Sequence, residues 1–432
     1  MKKFFQLLVR GFLVVSIVCF IVSCSDGNVK TVTPEQADLF AKSMISDAEM
    51  IYKAETASTR SEEYSQPVFW KVDKDGNHSQ IKIATKYGKE IDVSIRHVQR
   101  LGDRYLFYDI PHQKIDDVIG YEDGVEIRTD WPFLQDAILL VDKETNSIYQ
   151  TTWTYGRISG NKPLEREVKW YTDKNGNIYF YAYWDFNIVY KFDPKQLTFE
   201  EYTIAVNVPS DNYTYFDFVT SDNGYCLYYA GYTNKTFLRH PNGVHQLLGM
   251  SNPNIIMFKY DGYIHYWNVD YIMKIDDSGN EPQDVEVLFE PQPIRSIHFN
   301  KFEDIMNIIY YNDFWGRAGL VREFDGTSLK DVGYIDNISG TIYNGESCLF
   351  IFDGNKNEIS VFNLIDYSTK KITLDNYRID DVSVSGDFMS FSGLDYFNNG
   401  KKIIGNVDKN GVVSIVSTLE NNSKITNLIK LN

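Results

Sequence analysis

Gly176-Asn177-Ile178-Tyr179-Phe180-Tyr181, followed by Val189-Tyr190-Lys191-Phe192-Asp193, returns later as Gly262-Tyr263-Ile264-His265-Tyr266-Trp267 followed by Ile272-Met273-Lys274-Ile275-Asp276. In each copy a glycine turn opens an aromatic strand, and a second apolar strand ends on Asp. Alternate side chains of such strands face opposite ways, so both faces carry packing groups. Seven copies can be traced, at a spacing of about 40 to 50 residues, and an all-strand repeat of that length is the signature of a β-propeller blade. Residues 91–98, 166–170, 215–219, 254–259, 294–299, 340–343 and 379–384 each precede a turn and read as the innermost strands.

The two ends of the repeat region do not match this count. Val68-Phe69-Trp70-Lys71-Val72-Asp73 and the turn Asp75-Gly76-Asn77 read as an outer hairpin with no inner pair before it. Ile425-Thr426-Asn427-Leu428-Ile429-Lys430-Leu431 reads as an inner strand with nothing after it. A ring of sheets has to remove its open edges, and two ends meeting in one blade would do that. The expected fold is therefore all-β, a seven-bladed β-propeller, with an eight-bladed ring closed by strands from both termini as the alternative.

Ahead of the repeats, Thr33-Pro34-Glu35-Gln36 has the form of a helix start. Phe40, Met44, Ala48 and Ile51 follow at helical spacing, which predicts a short N-terminal helix over 34–54. Residues 55–66 are polar and read as a linker. The first repeat is irregular: nearly thirty residues separate Tyr108 from Ala137, including Asp130-Trp131-Pro132-Phe133. Loops of that length are uncommon in compact domains. This insertion, 109–136, is either a binding element or a cover over a blade edge.

Lys2, Lys3 and Arg10 precede an apolar run from Phe12 to Val22 that is short for a bilayer span but suits a signal-peptide core. Ile21-Val22-Ser23-Cys24 resembles a bacterial lipobox, which implies cleavage before Cys24 and a diacylglyceryl group on its thiol. The domain reading is a lipoprotein signal peptide over 1–23, a lipidated tether and helix over 24–65, and the propeller over 66–432. The formal charge of −16 disfavours nucleic acid and anionic lipid as partners. Cys226 and Cys348 occupy the same place in distant repeats and cannot approach to disulfide distance, so both read as buried structural thiols.

Sites of chemistry are few. Asp73-Lys74-Asp75-Gly76-Asn77 and Asp173-Lys174-Asn175-Gly176-Asn177 place Gly fourth, where an EF-hand loop needs it sixth, so they read as turns and not calcium loops. His97 and His298 fall on candidate inner strands, where a metal or two solvated channel histidines are the options; no metal and no cofactor is assigned. Asp217, Asp380 and Asp381 also fall on inner strands, and a carboxylate pair there could hydrolyse a glycosidic bond. Trp131, Tyr155, Tyr213, Phe314 and Trp315 lie in expected loops and are the candidate binding residues, since exposed aromatics can stack on sugars or anchor a protein partner.

The lipobox, the short tether Ser25-Asp26-Gly27-Asn28 and the opening hairpin Lys71-Val72-Asp73-Lys74-Asp75-Gly76-Asn77 together resemble β-propeller lipoproteins of Bacteroidota gut and oral bacteria. That resemblance implies a bacterial cell-envelope location as an outer-membrane lipoprotein, with display at the cell surface within its range. It transfers no catalytic residue. The functional expectation is a membrane-anchored, monomeric, non-catalytic binding protein whose propeller face holds a glycan or protein partner. The alternative is a glycoside-acting hydrolase or lyase that uses the channel carboxylates.

Overall fold

A computed structural model describes residues 29–32, 39–55, 68–111, 113–130, 133–134, 137–152, 169–181, 188–203, 216–230, 235–248, 256–268, 271–275, 283–285, 294–300, 305–311, 319–326, 328–335, 340–419 and 424–431. Among these residues the chain is all-β and contains no helix. Eight four-stranded antiparallel sheets account for most of it. We number them in chain order from the one that joins Ala48–Glu55 to the last strand, Lys424–Lys430.

Sheet 1 runs Lys424–Lys430, Ala48–Glu55, Val68–Asp73, His78–Gln80. Sheet 2 runs His97–Leu101, Tyr105–Ile110, Ala137–Asp142, Ile148–Thr152. Sheets 3 to 8 are simple meanders that begin at Lys169–Thr172, Phe216–Thr220, Ile256–Tyr260, Ile294–Asn300, Thr341–Asn344 and Tyr377–Ser385. First strands neighbour one another across sheets 3, 4 and 5, and again across 7, 8, 1 and 2. Four-stranded meanders repeated around their first strands make a β-propeller architecture.

Three expectations change. Over 39–54, the described part of the helix predicted for 34–54, the chain is not helical: Phe40–Ser43 and Ala48–Glu55 are strands. Met50, Ile51 and Tyr52 are all buried, because Ala48–Glu55 lies inside sheet 1 with packing on both faces. A doubly buried strand has no clean alternation, and a continuous apolar run can be misread as one turn of helix. That same strand is the missing partner of the orphan hairpin at Val68–Asp73. The innermost strand expected at 91–98 instead starts at His97, because Glu90–Ile91 pairs in a separate small sheet with Phe40–Ser43 and Ile83–Thr85.

The insertion in sheet 2 also has structure. Val118–Glu122 and Val125–Thr129 form a hairpin, and Val29–Val32 adds to it in parallel. Ile115, Ile119 and Ile127 are buried in one core with Phe40, Ile83, Ile95, Tyr108 and Ile429. The inner part of the insertion is therefore a cover packed over sheets 1 and 2.

Aromatic rings carry the packing between sheets. Phe107 meets Phe180 across sheets 2 and 3 at 5.8 Å, Tyr171 meets Phe218 across 3 and 4 at 5.3 Å, and Tyr260 meets Phe324 across 5 and 6 at 5.3 Å. The turns read from sequence follow their expected chemistry. The Asp73 carboxylate accepts the Asp75 and Asn77 amides at 2.9 and 2.8 Å, and the Asp173 carboxylate accepts those of Asn175 and Asn177 at 2.8 and 3.0 Å. Gly76 and Gly176 take the positive φ that these turns require, +81° and +82°. Cys226 and Cys348 are buried free thiols, and burial pushes both thiols upward, away from reactivity.

Candidate functional site

Strand direction gives the molecule two unlike faces. At one, tight turns crowd together: the Asp222 amide donates to the Gly262 carbonyl at 2.8 Å, Lys259 pairs with Asp222, and Lys370 donates to the Asn410 carbonyl at 2.7 Å. At the other, second strands pass to third strands and one sheet passes to the next, through connections that are mostly longer, although the step from Asn268 to Tyr271 in sheet 5 is short.

The tight-turn face holds a polar cleft of about 390 Å³ where sheets 7, 8, 1 and 2 meet, lined by Arg100, Glu346, Asp387, Phe388, Lys409 and Leu431 among others. Its charges are mutually engaged. Arg100 donates to Asp103 at 2.8 Å and lies 4.0 Å from Glu346. Asp387 accepts the Ser347 amide and hydroxyl, both at 2.6 Å, and pairs with Lys409 at 3.3 Å. Burial pushes the Asp387 carboxyl up, but the hydrogen bonds from Ser347 and Lys409 outweigh it and hold the group below its ordinary value. Beside it, Lys143 donates to the Leu431 carbonyl at 2.7 Å. These residues clamp the last strand; sequence reading missed them because they stand at ordinary strand ends and turns spread over several repeats.

Deeper along the same junction, two bulges meet. The ladder of Tyr377–Ser385 skips Asp380, and that of Lys424–Lys430 is irregular around Asn427, which takes φ +50°. The Asn427 amide donates to the Asp381 carboxylate, and its side-chain nitrogen donates to the Val98 carbonyl at 3.1 Å. One residue thereby ties sheets 8, 1 and 2. Ser385 and Ser392 reinforce the junction by donating to the carbonyls of Lys430 and Ile425 at 2.8 and 3.0 Å, and Ser383 donates to that of Leu428.

Of the predicted channel residues, three have described side chains. Asp380 is exposed and paired with Arg378 at 2.9 Å, while Asp381 is half-buried in the junction. Burial raises the Asp381 carboxyl to about 6, with the Asn427 amide and Lys424 opposing. His97 is half-buried against Phe107, ring centroids 6.5 Å apart, and burial lowers its imidazole to about 4. It is a neutral packing residue near neutral pH. Asp217 and His298 lie on the first strands of sheets 4 and 6, and their side chains fall outside the described set. Trp131, Tyr155, Tyr213, Phe314, Trp315 and Cys24 lie outside the described residues. Among the described residues no group of three or more His, Cys, Asp or Glu converges to hold a metal.

The Asp381 shift makes a testable statement. Its folded value is raised, so protonation favours the folded state; that stabilisation is full below about pH 4 and is lost as pH rises through about 6. Asp381→Asn is expected to raise the melting temperature at pH 8 and to flatten its pH dependence between 4 and 6. Thermal melts by circular dichroism across that range check it, and parallel curves for the two proteins would refute it.

The chain matches no protein-family model and none of the curated proteins. Solved structures are similar in chain path. AztD from Citrobacter koseri shares 9% identity at a TM-score of 0.48, over 90% of this chain and 97% of that one. A quinonprotein alcohol dehydrogenase-like protein from Bacteroides thetaiotaomicron shares 10% at 0.39, over 95% and 98%. Virginiamycin B lyase from Staphylococcus aureus shares 12% at 0.36, over 58% and 84%. At such identities no activity carries over, and the class defined here is an all-β, propeller-like fold.

Proposed function

We propose that this is a membrane-anchored, non-catalytic binding protein: an eight-bladed ring, closed by strands from both ends of the chain, that holds a glycan or protein partner on its face of long connections. The observation that carries the reading is the hairpin tip between Phe388–Asp395 and Lys401–Asp408. There Tyr396 and Phe397 are 59% and 81% exposed on that face. Their presentation is built: the Asp395 carboxylate accepts the amides of Phe397 and Asn398 at 2.9 and 3.2 Å, and Asn399 and Gly400 both take positive φ. A rigid exposed aromatic pair has little conformational entropy to lose on stacking against a sugar ring or an apolar protein patch.

The segments that contain Tyr155, Tyr213, Phe314 and Trp315 are flanked by sheet strands that end and begin at this same face, and Trp131 belongs to the insertion between the second and third strands of sheet 2. The hydrolase alternative is less favoured, because Asp380 is consumed by Arg378 and Asp381 is turned into the junction between sheets. A glycan array combined with a hydrolysis screen on the 25–432 fragment tests the reading. Binding without turnover is expected, and Phe397→Ser should weaken it about tenfold, the loss of one well-packed aromatic contact. Turnover would move the assignment to the enzyme, and silence in both assays would point to a protein partner.

A further inference from the structure

The small sheet Val29–Val32, Val125–Thr129, Val118–Glu122 has one buried and one open face. Val29 stands opposite Glu126, and Glu126 stands opposite Tyr121, so the three form a single row. The next row contains Ile127, fully buried, and marks the inner face. On the outer row Val29 is 40% and Tyr121 is 62% exposed. Because Val29–Val32 runs parallel to Val125–Thr129, the chain enters this sheet at the hairpin end, beside the turn of Asp123 and Gly124. Lys30 secures that end by pairing with Glu122 at 2.8 Å.

Cys24 lies five residues before Val29. Even fully extended, that stretch reaches only about 17 Å. An acyl group on Cys24 would therefore hold the hairpin tip at the headgroup layer, because the docked strand leaves no slack. We infer that the outer row of Tyr121 and Val29, with the adjoining turn, is the lipid-facing contact of the protein, and that Val29–Val32 sets its orientation on the membrane. This rests on the anchored reading proposed above. Tyrosine suits such an interface, with an apolar ring and a polar hydroxyl. The lipid surface it fits is zwitterionic: Arg128 is engaged by Glu126 and Lys30 by Glu122, while Asp123 leaves an acidic charge at the turn.

The test uses the full chain, purified with its native N-terminus and reconstituted on phosphatidylcholine vesicles. Single labels are placed by Tyr121→Cys and, in the first turn of sheet 3, away from the small sheet, Asn175→Cys; Cys226 and Cys348 are buried and do not compete for the dye. Nitroxide-bearing lipids should quench the label at 121 strongly and leave the one at 175 bright. Replacing Val29–Val32 with Gly-Ser-Gly-Ser should abolish this difference while vesicle binding persists. Equal quenching at both positions in an acylated protein, or a difference that survives the replacement, overturns this inference and leaves the anchored reading intact. A Cys24 peptide without diacylglyceryl mass overturns both.

Discussion

Deleting residues 424–432 is expected to abolish cooperative folding of the whole domain, not to trim its edge. Ile425, Leu428, Ile429 and Leu431 are each no more than 5% exposed. At about 1.5–3 kcal/mol per buried aliphatic side chain, their removal forfeits roughly 6–12 kcal/mol. A whole domain has a net stability of only about 5–15 kcal/mol. The deletion also strips Ala48–Glu55 of its ladder partner and removes the carbonyls that Ser383, Ser385 and Ser392 bond. The edge of Ala48–Glu55 would be left open, which invites aggregation. Denaturant unfolding followed by near-ultraviolet circular dichroism measures this, and an unchanged midpoint in the truncated protein would show that the shared sheet is dispensable.

Phe180→Ala is expected to cost about 3–5 kcal/mol, the range for truncating a fully buried aromatic. Phe180 has no exposed surface and meets Phe107 at 5.8 Å, Tyr190 at 5.6 Å and Phe199 at 6.3 Å. The cavity would open between sheets 2 and 3, where neighbouring strands are held by their own ladders and cannot collapse inward. Phe180→Leu should cost less, since most of the volume stays. Chemical denaturation of both variants checks the order, and equal losses would mean that the site relaxes around the deletion.

Much of the fold was legible because strand and turn signals are local. Gly176 and Asp173 specify their turn within five residues, and the aromatic alternation of Ile178–Tyr181 specifies its strand. The buried thiols at Cys226 and Cys348 followed from repeat position alone. The helix over 34–54 failed because Met50, Ile51 and Tyr52 are buried on both faces, so the period-2 signal was erased by tertiary packing. The unlike surroundings of Asp380 and Asp381 have a related cause. A bulge rotates adjacent residues out of register, and no sequence pattern announced it.

What the sequence by itself determined is the repeat unit: its strands, its Asp-Asn-Gly turns and the aromatic content that packs one sheet on the next. The order of contacts within a repeat depends on neighbours a few residues away, so composition and spacing suffice. Only the tertiary structure decided how the ends of the chain meet and what gathers there. Asn427 reaches Val98 across 329 positions, and Ser417 reaches the Gly76 carbonyl across 341. Arg100, Glu346, Asp387 and Lys409 share one cleft although each sits at an unremarkable strand end or turn. Those encounters are set by the return of the chain around its sheets, and no local preference of the residues encodes them.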